Sequence, residues 1–356
     1  MAKEIRAIVD VGTNSTKLLV AEVSGESVEP IFEASEFTQL GQGLFQSRRL
    51  SPEAICRAAQ VVKFFSHRAA EFNPTRTRVI ATSAAREATN ADELIDAIRE
   101  RTGLRAEILG GEQEAHLVFR GATTDTDLPQ FPLMVFDIGG GSTEIVIGDD
   151  LVIAGRHSFP IGTLRLLDLV QAADPPTAGD LARCRSCLDT LFQSEEASGI
   201  DRIRRSFGAH GIRLVGASGT VVRLAKLASM RAAAPVEKEI AQRLGLREAR
   251  SLVEWLWNLS RSQRCQIEWL PSERADLVLT AAALVEAIMS RFGFDDLVVS
   301  TRGLRYGALL DARCFQILAT RIVEDPTDRG RAVDSSAMEL PSIGKSIEGL
   351  LQPSAG

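Results

Sequence analysis

No excess of positive charge marks this chain. Its 41 lysines and arginines face 47 acidic residues, for a net charge of −6. It is therefore not a generally basic nucleic-acid binder, and a polyanionic ligand would need a local basic patch. Cysteines are few and odd in number: Cys56, Cys184, Cys187, Cys265 and Cys314. Cys184-x-x-Cys187 falls in an expected helix with no second pair and no histidine nearby, which argues against a zinc or redox site. The four histidines, His67, His116, His157 and His210, show no metal-ligand spacing. No signal-peptide pattern opens the chain. Its most apolar stretch, Leu277 to Met289, is too short to span a bilayer and contains Glu286. The expectation is a soluble cytoplasmic protein with neither membrane nor nucleic acid as partner.

What is present is an ordinary globular composition, 45% apolar and 25% charged over 356 residues, a length that suits two domains each with its own core. One stretch organises the rest: Phe136-Asp137-Ile138-Gly139-Gly140-Gly141-Ser142-Thr143-Glu144. An apolar run delivers a carboxylate, then three glycines, two hydroxyls and a second carboxylate, and Ile145-Val146-Ile147 closes the unit. The order reads as strand, tight turn, strand. Consecutive glycines let several N–H groups converge on one anion. Two carboxylates beside such a cradle make sense when a divalent cation sits between them and the phosphate. A plain glycine-rich hairpin is the alternative.

The stretch recurs near the N-terminus. Ile8-Val9-Asp10-Val11-Gly12-Thr13-Asn14-Ser15-Thr16-Lys17-Leu18-Leu19-Val20 superimposes on it without a gap, Asp10 on Asp137, Gly12 on Gly139 and Ser15 on Ser142. The copies are about one domain apart, as in a duplicated domain. Two such hairpins facing each other would clamp one anionic ligand.

Between and after them, strands alternate with helices, which argues for a layered α/β fold. Ser51-Pro52-Glu53 starts a helix whose Ile55, Ala58, Ala59, Val62 and Phe65 share one face. Arg78 to Ala81 reads as a strand. Asn90-Ala91-Asp92-Glu93 opens a helix with capping-box spacing, ended by Gly103. Leu104 to Leu109 is a strand, and Gly111 starts a helix carrying Glu112, Gln113 and Glu114 in its first turn. Later come helices from Leu164, Ala178 to Phe192, Val221 to Ser229, Leu246 to Leu259 and Ser272 to Phe292, with strands Ile212 to Val215 and Asp296 to Ser300. The turn Gly216-Ala217-Ser218-Gly219-Thr220 before a helix is a third anion-binding geometry. Trp255, Trp257 and Trp269 are expected to pack in a core or interface. From Glu324 onward the composition is that of a disordered tail, 324–356.

Six motifs occur in a fixed order: Asp10-x-Gly-Thr-Asn-Ser, Thr82-Ser-Ala-Ala-Arg86, Gly111-Glu-Gln-Glu114-Ala, Asp137-x-Gly-Gly-Gly-Ser-Thr-Glu144, Gly216-Ala-Ser-Gly219 and Arg302-Gly-Leu-Arg305. In these the chain resembles the exopolyphosphatase / guanosine pentaphosphate phosphohydrolase (Ppx/GppA) family, in its short two-domain form. The family belongs to the actin–hexokinase–chaperone ATPase superfamily. The resemblance implies two ribonuclease-H-like domains around a cleft, 1–124 and 125–301, with a last helix at about 302–322 packing back on the first. It implies Mg²⁺-dependent (or Mn²⁺-dependent) hydrolysis of a terminal phosphoanhydride, with inorganic polyphosphate or guanosine pentaphosphate as substrate. It also implies that Glu114, the glutamate before the alanine of its motif, is the general base.

Roles for the other residues follow from what phosphoryl transfer requires. Asp137 and Glu144 are the expected metal carboxylates, with Asp10 sharing that duty or fixing its turn. Gly139, Gly140, Gly141 and Ser142, with Asn14, Ser15 and Thr16, are expected to cradle phosphate oxygens, and Gly216, Ser218 and Gly219 to close the site. Arg86, after the Thr82-Ser83 turn, suits a phosphate clamp, with a surface ion pair to Glu87 or Glu93 as the alternative. Ser83 is placed at the phosphate with it. Lys17 stands where the second copy has Glu144; it reads either as a phosphate-site cation or as a snorkelling edge residue. At a helix N-terminus, the Glu114 carboxyl is expected to have a depressed pKa. Gln113 and His116 depart from the residues frequent in relatives. A sugar kinase or chaperone-type ATPase of the same fold, and a non-catalytic binder, are the competing readings. The oligomeric state is left open, a homodimer included.

Overall fold

The computed structural model describes residues 3–128, 132–149, 152–208, 211–232 and 243–311. The expected tail, 324–356, and the expected continuation of the last helix to about residue 322 lie outside the described residues.

The first half builds a five-stranded sheet. β1 (Glu4–Val11) turns back into β2 (Ser15–Ser24), and β2 into β3 (Ser27–Phe37). α1 (Leu44–Ser47) and α2 (Pro52–Ala70) lead to β4 (Arg76–Ala81), parallel to β1. α3 (Ser83–Glu87) and α4 (Ala91–Thr102) lead to β5 (Ala106–Ile108), and the order is β3-β2-β1-β4-β5. No sequence signal pointed to β3. It is an edge strand full of glutamates, and its Pro30 lies at a register shift, where strand propensity is weakest and proline is tolerated.

α2 starts as its sequence predicts. Ser51 accepts from the Ala54 N–H at 3.2 Å, Pro52 fills the first turn, and the aliphatic face is buried. The expected capping box of α4 is not formed. The Asn90 side chain instead accepts from Leu50 N at 2.9 Å and donates to Leu50 O at 3.0 Å, so tertiary pairing wins over the local cap. Gly103 ends α4 at a φ of 73°, as expected.

After α5 (Gly111–Ala122) the plan repeats. β6 (Leu133–Ile138), β7 (Thr143–Asp149) and β8 (Val152–Phe159) form a second meander. α6 (Thr163–Val170), α7 (Ala178–Phe192) and α8 (Glu195–Ser206) precede β9 (Arg213–Gly216), which is parallel to β6. α9 (Gly219–Arg231), β10 (Arg243–Gly245), α10 (Leu246–Trp257), α11 (Arg261–Arg264) and α12 (Leu277–Phe292) follow, then β11 (Asp296–Val299) and α13 (Leu304–Leu310). The order is β10-β11-β9-β6-β7-β8. With β10 set aside, it is the first sheet again: an antiparallel meander, then two parallel strands. The helix expected from Ser272 begins only at Leu277, after a short 3₁₀ turn. Of the three tryptophans, Trp257 is buried and donates to Leu279 O, but Trp269 is 61% exposed, with Lys226 Nζ 3.7 Å above its ring.

Alternation along β1 shows where the layers lie. Ala7, Val9 and Val11 pack with α2 and α4. Ile8 faces the other way, onto Leu117, Val118 and Phe119 of α5, Ala308 and Leu309 of α13, and Val135 and Val146 of the second sheet. α5 and α13 thus share one core with both sheets. They cross at backbone contact: a Cβ on Gly121 would strike the Gly303 carbonyl, and one on Gly307 the Leu117 carbonyl. No described helix is long and apolar enough to cross a membrane. Replacing Gly307 by alanine is expected to cost about 3 kcal/mol through this overpacking. The check is a fall in the urea midpoint at unchanged slope; an unmoved midpoint would mean that the crossing opens at little cost.

Candidate active site

The two hairpins are built alike. Gly12 N–H donates to Ser15 O at 3.1 Å, and Gly139 N–H to Ser142 O at 3.0 Å. A Cβ at either glycine would press on the oxygen that closes its turn. Register then sets the chemistry. Asp10 lies opposite Lys17 in the first pair, Asp137 opposite Glu144 in the second. All four line one cleft between the lobes, with Asn14, Ser15, Ser83, Glu114, Ser218 and Gly219.

The Gly139–Ser142 loop is held from behind by α6. Thr163 N–H donates to Gly139 O, Leu164 and Arg165 N–H to Gly140 O, and Arg165 Nε to Gly141 O at 3.1 Å. A peptide is planar and trans, so each carbonyl fixed toward α6 aims the next N–H the opposite way. The N–H groups of Gly140, Gly141 and Ser142 meet no acceptor among the described residues. That is an anion cradle. Its neighbour is the start of α9, where the Ser218 hydroxyl accepts from Val221 N–H and the first-turn amides open onto the cleft.

Glu114 stands in the first turn of α5 and is 6% exposed. Arg86 donates to its Oε2 at 2.8 Å and to Leu109 O at 2.8 Å. The helix N-terminus does not depress its pKa as expected. Burial prevails and pushes the carboxyl up to about 7, Arg86 opposing and Asp10 and Asp137 adding. Asp137 is likewise pushed up to about 6, and Asp10 and Glu144 are raised, burial being the main cause in each. Lys17 is lowered by burial, against the pull of Asp10 and Asp137.

Asp10 Oδ1 is buried with no hydrogen-bond donor. An unpartnered oxygen among mutually repelling carboxylates fits a hard divalent cation. Among the described residues no three acidic, histidine or cysteine side chains converge enough to cage a metal alone.

Three residues expected at the phosphate are not part of the cleft wall. The Thr16 hydroxyl is fully buried against Thr38 Oγ1 at 3.2 Å. Gly216 lies within β9, packed on Val221 and Phe136. Arg86 stands behind Glu114, paired with neither Glu87 nor Glu93. Conversely, Arg274 and Arg305 line the cleft without having been assigned to it. Arg274 donates to Ser15 Oγ at 2.9 Å, and Arg305 to Leu18 O and Glu33. Arg305 belonged to a motif already noted, but Arg274 had no local signal, since the 3₁₀ turn before α12 brings it in from far along the chain. Gln113 turns away and donates to Glu107 at 3.3 Å.

Known proteins resemble this chain in sequence and fold. The Ppx/GppA phosphatase family model matches residues 19–313. Exopolyphosphatase 2 of Mycobacterium tuberculosis is 30% identical over 318 residues, 85% of this chain and 97% of that one. A crystal structure of an exopolyphosphatase from Cytophaga hutchinsonii superimposes with a TM-score of 0.76 at 26% identity, covering 89% of this chain and 98% of that one. The Ppx/GppA enzyme of Aquifex aeolicus does so with a TM-score of 0.69 at 26% identity, over 87% and 99%. Matched along most of its length in sequence and fold, the chain belongs to the Ppx/GppA phosphatase family and is a hydrolase acting on phosphoanhydride bonds.

Proposed function

We propose that the chain is a Mg²⁺-dependent exopolyphosphatase that releases phosphate from the ends of inorganic polyphosphate. The observation that carries this is Glu114, a buried carboxylate aimed into the cleft from α5, beside both hairpins. Once ionised, it accepts a proton from the attacking water. Arg86 holds it in place, its guanidinium shared between the Glu114 carboxylate and the Leu109 carbonyl. The amides of Gly140 to Ser142 and the α9 N-terminus bind the oxygens of the transferred group, with Asn14, Ser15 and Ser83 facing them. Asp10, Asp137 and Glu144 would hold the divalent cation, Mg²⁺ or Mn²⁺, which when bound neutralises charge on the phosphoryl and leaving oxygens.

A linear polyanion suits the wall beyond. Arg274 continues from the cleft into a shallow pocket with Arg223, over Leu224, Leu270 and Val278. Burial and the repulsion of Arg274 lower Arg223 to about 10. Removal of the 5′-phosphate from guanosine pentaphosphate is the second reading, since it uses the same bond chemistry. A buried base at the junction counts against a kinase and against a passive binder. The proposal takes the lobes as 1–124 and 125–301, with α13 (Leu304–Leu310) returning to the first, in a cytoplasmic protein, monomeric or homodimeric.

Phosphate release from polyphosphate with Mg²⁺, set beside release from guanosine pentaphosphate and ATP, tests the substrate; polyphosphate is expected to be fastest. Glu114→Gln is expected to lower kcat about 10²- to 10⁴-fold, and a wild-type rate would remove Glu114 from the role of base. In metal-free protein the same variant has a thermal signature. The folded carboxyl titrates near 7, above the 4.5 usual for glutamate, so stability is lost as pH rises through that window. Glu114→Gln should thus melt higher than wild type at pH 8 and lose the advantage toward pH 5. Adding Mg²⁺ should raise the wild-type Tm and raise that of Asp137→Asn less.

A further inference from the structure

We propose that Arg165 and Glu87 are positioning residues of the phosphate site, forming a strap across the cleft that sets the Gly139–Ser142 loop against Ser83. The proposal rests on assigning that loop and Ser83 to phosphate. Glu87 ends α3 in the first lobe. One oxygen accepts from Ser83 Oγ at 3.0 Å, and the other pairs with Arg165 of α6 in the second lobe. Arg165 donates through Nε to Gly141 O, and its guanidinium lies 4.2 Å over the Phe45 ring of α1. The two side chains are only 18% and 23% exposed.

An isolated surface ion pair contributes little, since two long side chains must be ordered for one contact. Here both ends are already held by other partners, so little further ordering is required. The geometry also gives the pair a task. Among the described residues the Gly141 carbonyl is held by Arg165 alone, while main-chain N–H groups of α6, with the Thr163 hydroxyl at 3.4 Å on Gly139 O, grip the other two. Fixing the Gly141 carbonyl aims the Ser142 N–H into the cleft. Without Arg165 that peptide is free to turn, and one donor of the cradle is lost. Glu87 fixes where Arg165 stands, and at the same time where the Ser83 hydroxyl stands. The fit is close: a Cβ on Gly141 would land on Ser83 Oγ and within 3.2 Å of Phe45 and Thr13. The strap therefore brings the phosphate groups of both lobes to one spacing.

The test compares Glu87→Gln, Arg165→Gln, Arg165→Lys and the double Gln variant in the full chain. KM and kcat for polyphosphate are measured, with calorimetric binding of imidodiphosphate, a non-hydrolysable pyrophosphate analogue, and thermal melting. Each Gln variant is expected to raise KM and the imidodiphosphate Kd about tenfold, the size of one coupled contact. The double variant should be no worse than Arg165→Gln, because the residues act as a unit. Arg165→Lys keeps the charge but loses the fork that holds Glu87 and Gly141 together, and should not restore binding. Unchanged KM and Kd with a lowered Tm would reduce the pair to a structural clamp and overturn the proposal. So would effects of the two Gln variants that multiply. If wild type releases no phosphate from polyphosphate yet binds imidodiphosphate more tightly than Glu87→Gln, the strap stands and the substrate reading fails.

Discussion

Four carboxylates line one cleft, and most of the design answers that constraint. Asp10, Glu114, Asp137 and Glu144 repel one another and would repel a polyanion. Burial raises all four toward the neutral form. The protein sets Lys17, Arg86, Arg274 and Arg305 around them, but lowers Lys17 too by burying it. The balance is left incomplete: an oxygen of Asp10 has no donor. Stability given up here is the usual cost of a site prepared for charge that arrives later.

The catalytic centre was legible because its parts are local. Each hairpin carries its acid, its turn glycine and its cross-strand partner within a few residues, so spacing alone places Asp10 opposite Lys17 and Asp137 opposite Glu144. Glu114 was singled out by the family resemblance, the glycine pair before it marking only the start of its helix. The meander edges were not legible, because β3 and β8 are half-exposed strands with no run of buried apolar residues. Neither was the pKa of Glu114. A helix-end rule sees the local dipole, whereas the β1 and β6 carboxylates and the loss of water come from tertiary packing.

Misplaced residues failed for related reasons. Thr16 sits in the right motif, but its strand turns its side chain away from the cleft, onto Thr38, and Gly216 lies within β9, closed in by Val221 and Phe136. Arg86 was expected at the ligand and stands one layer behind the cleft wall, paired with Glu114. Arg165 and Arg274 were overlooked because nothing near them in sequence names their partners, Glu87 and Ser15, which lie in the other lobe.

The α5–α13 crossing bears on the order in which the protein assembles during synthesis. The carbonyls of Ala308 and Leu309 are held by Arg78 and Arg6, those of Val28 and Leu18 by Arg302 and Arg305. One face of the first sheet, with Ile8, Leu19 and Ile80, is thus covered by the last described helix. A chain emerging from the ribosome N-terminus first makes those strands early and their cover about two hundred residues later. The first lobe cannot close its own core in the meantime. Completion of the N-terminal half waits on the C-terminal one, so the two lobes become native together.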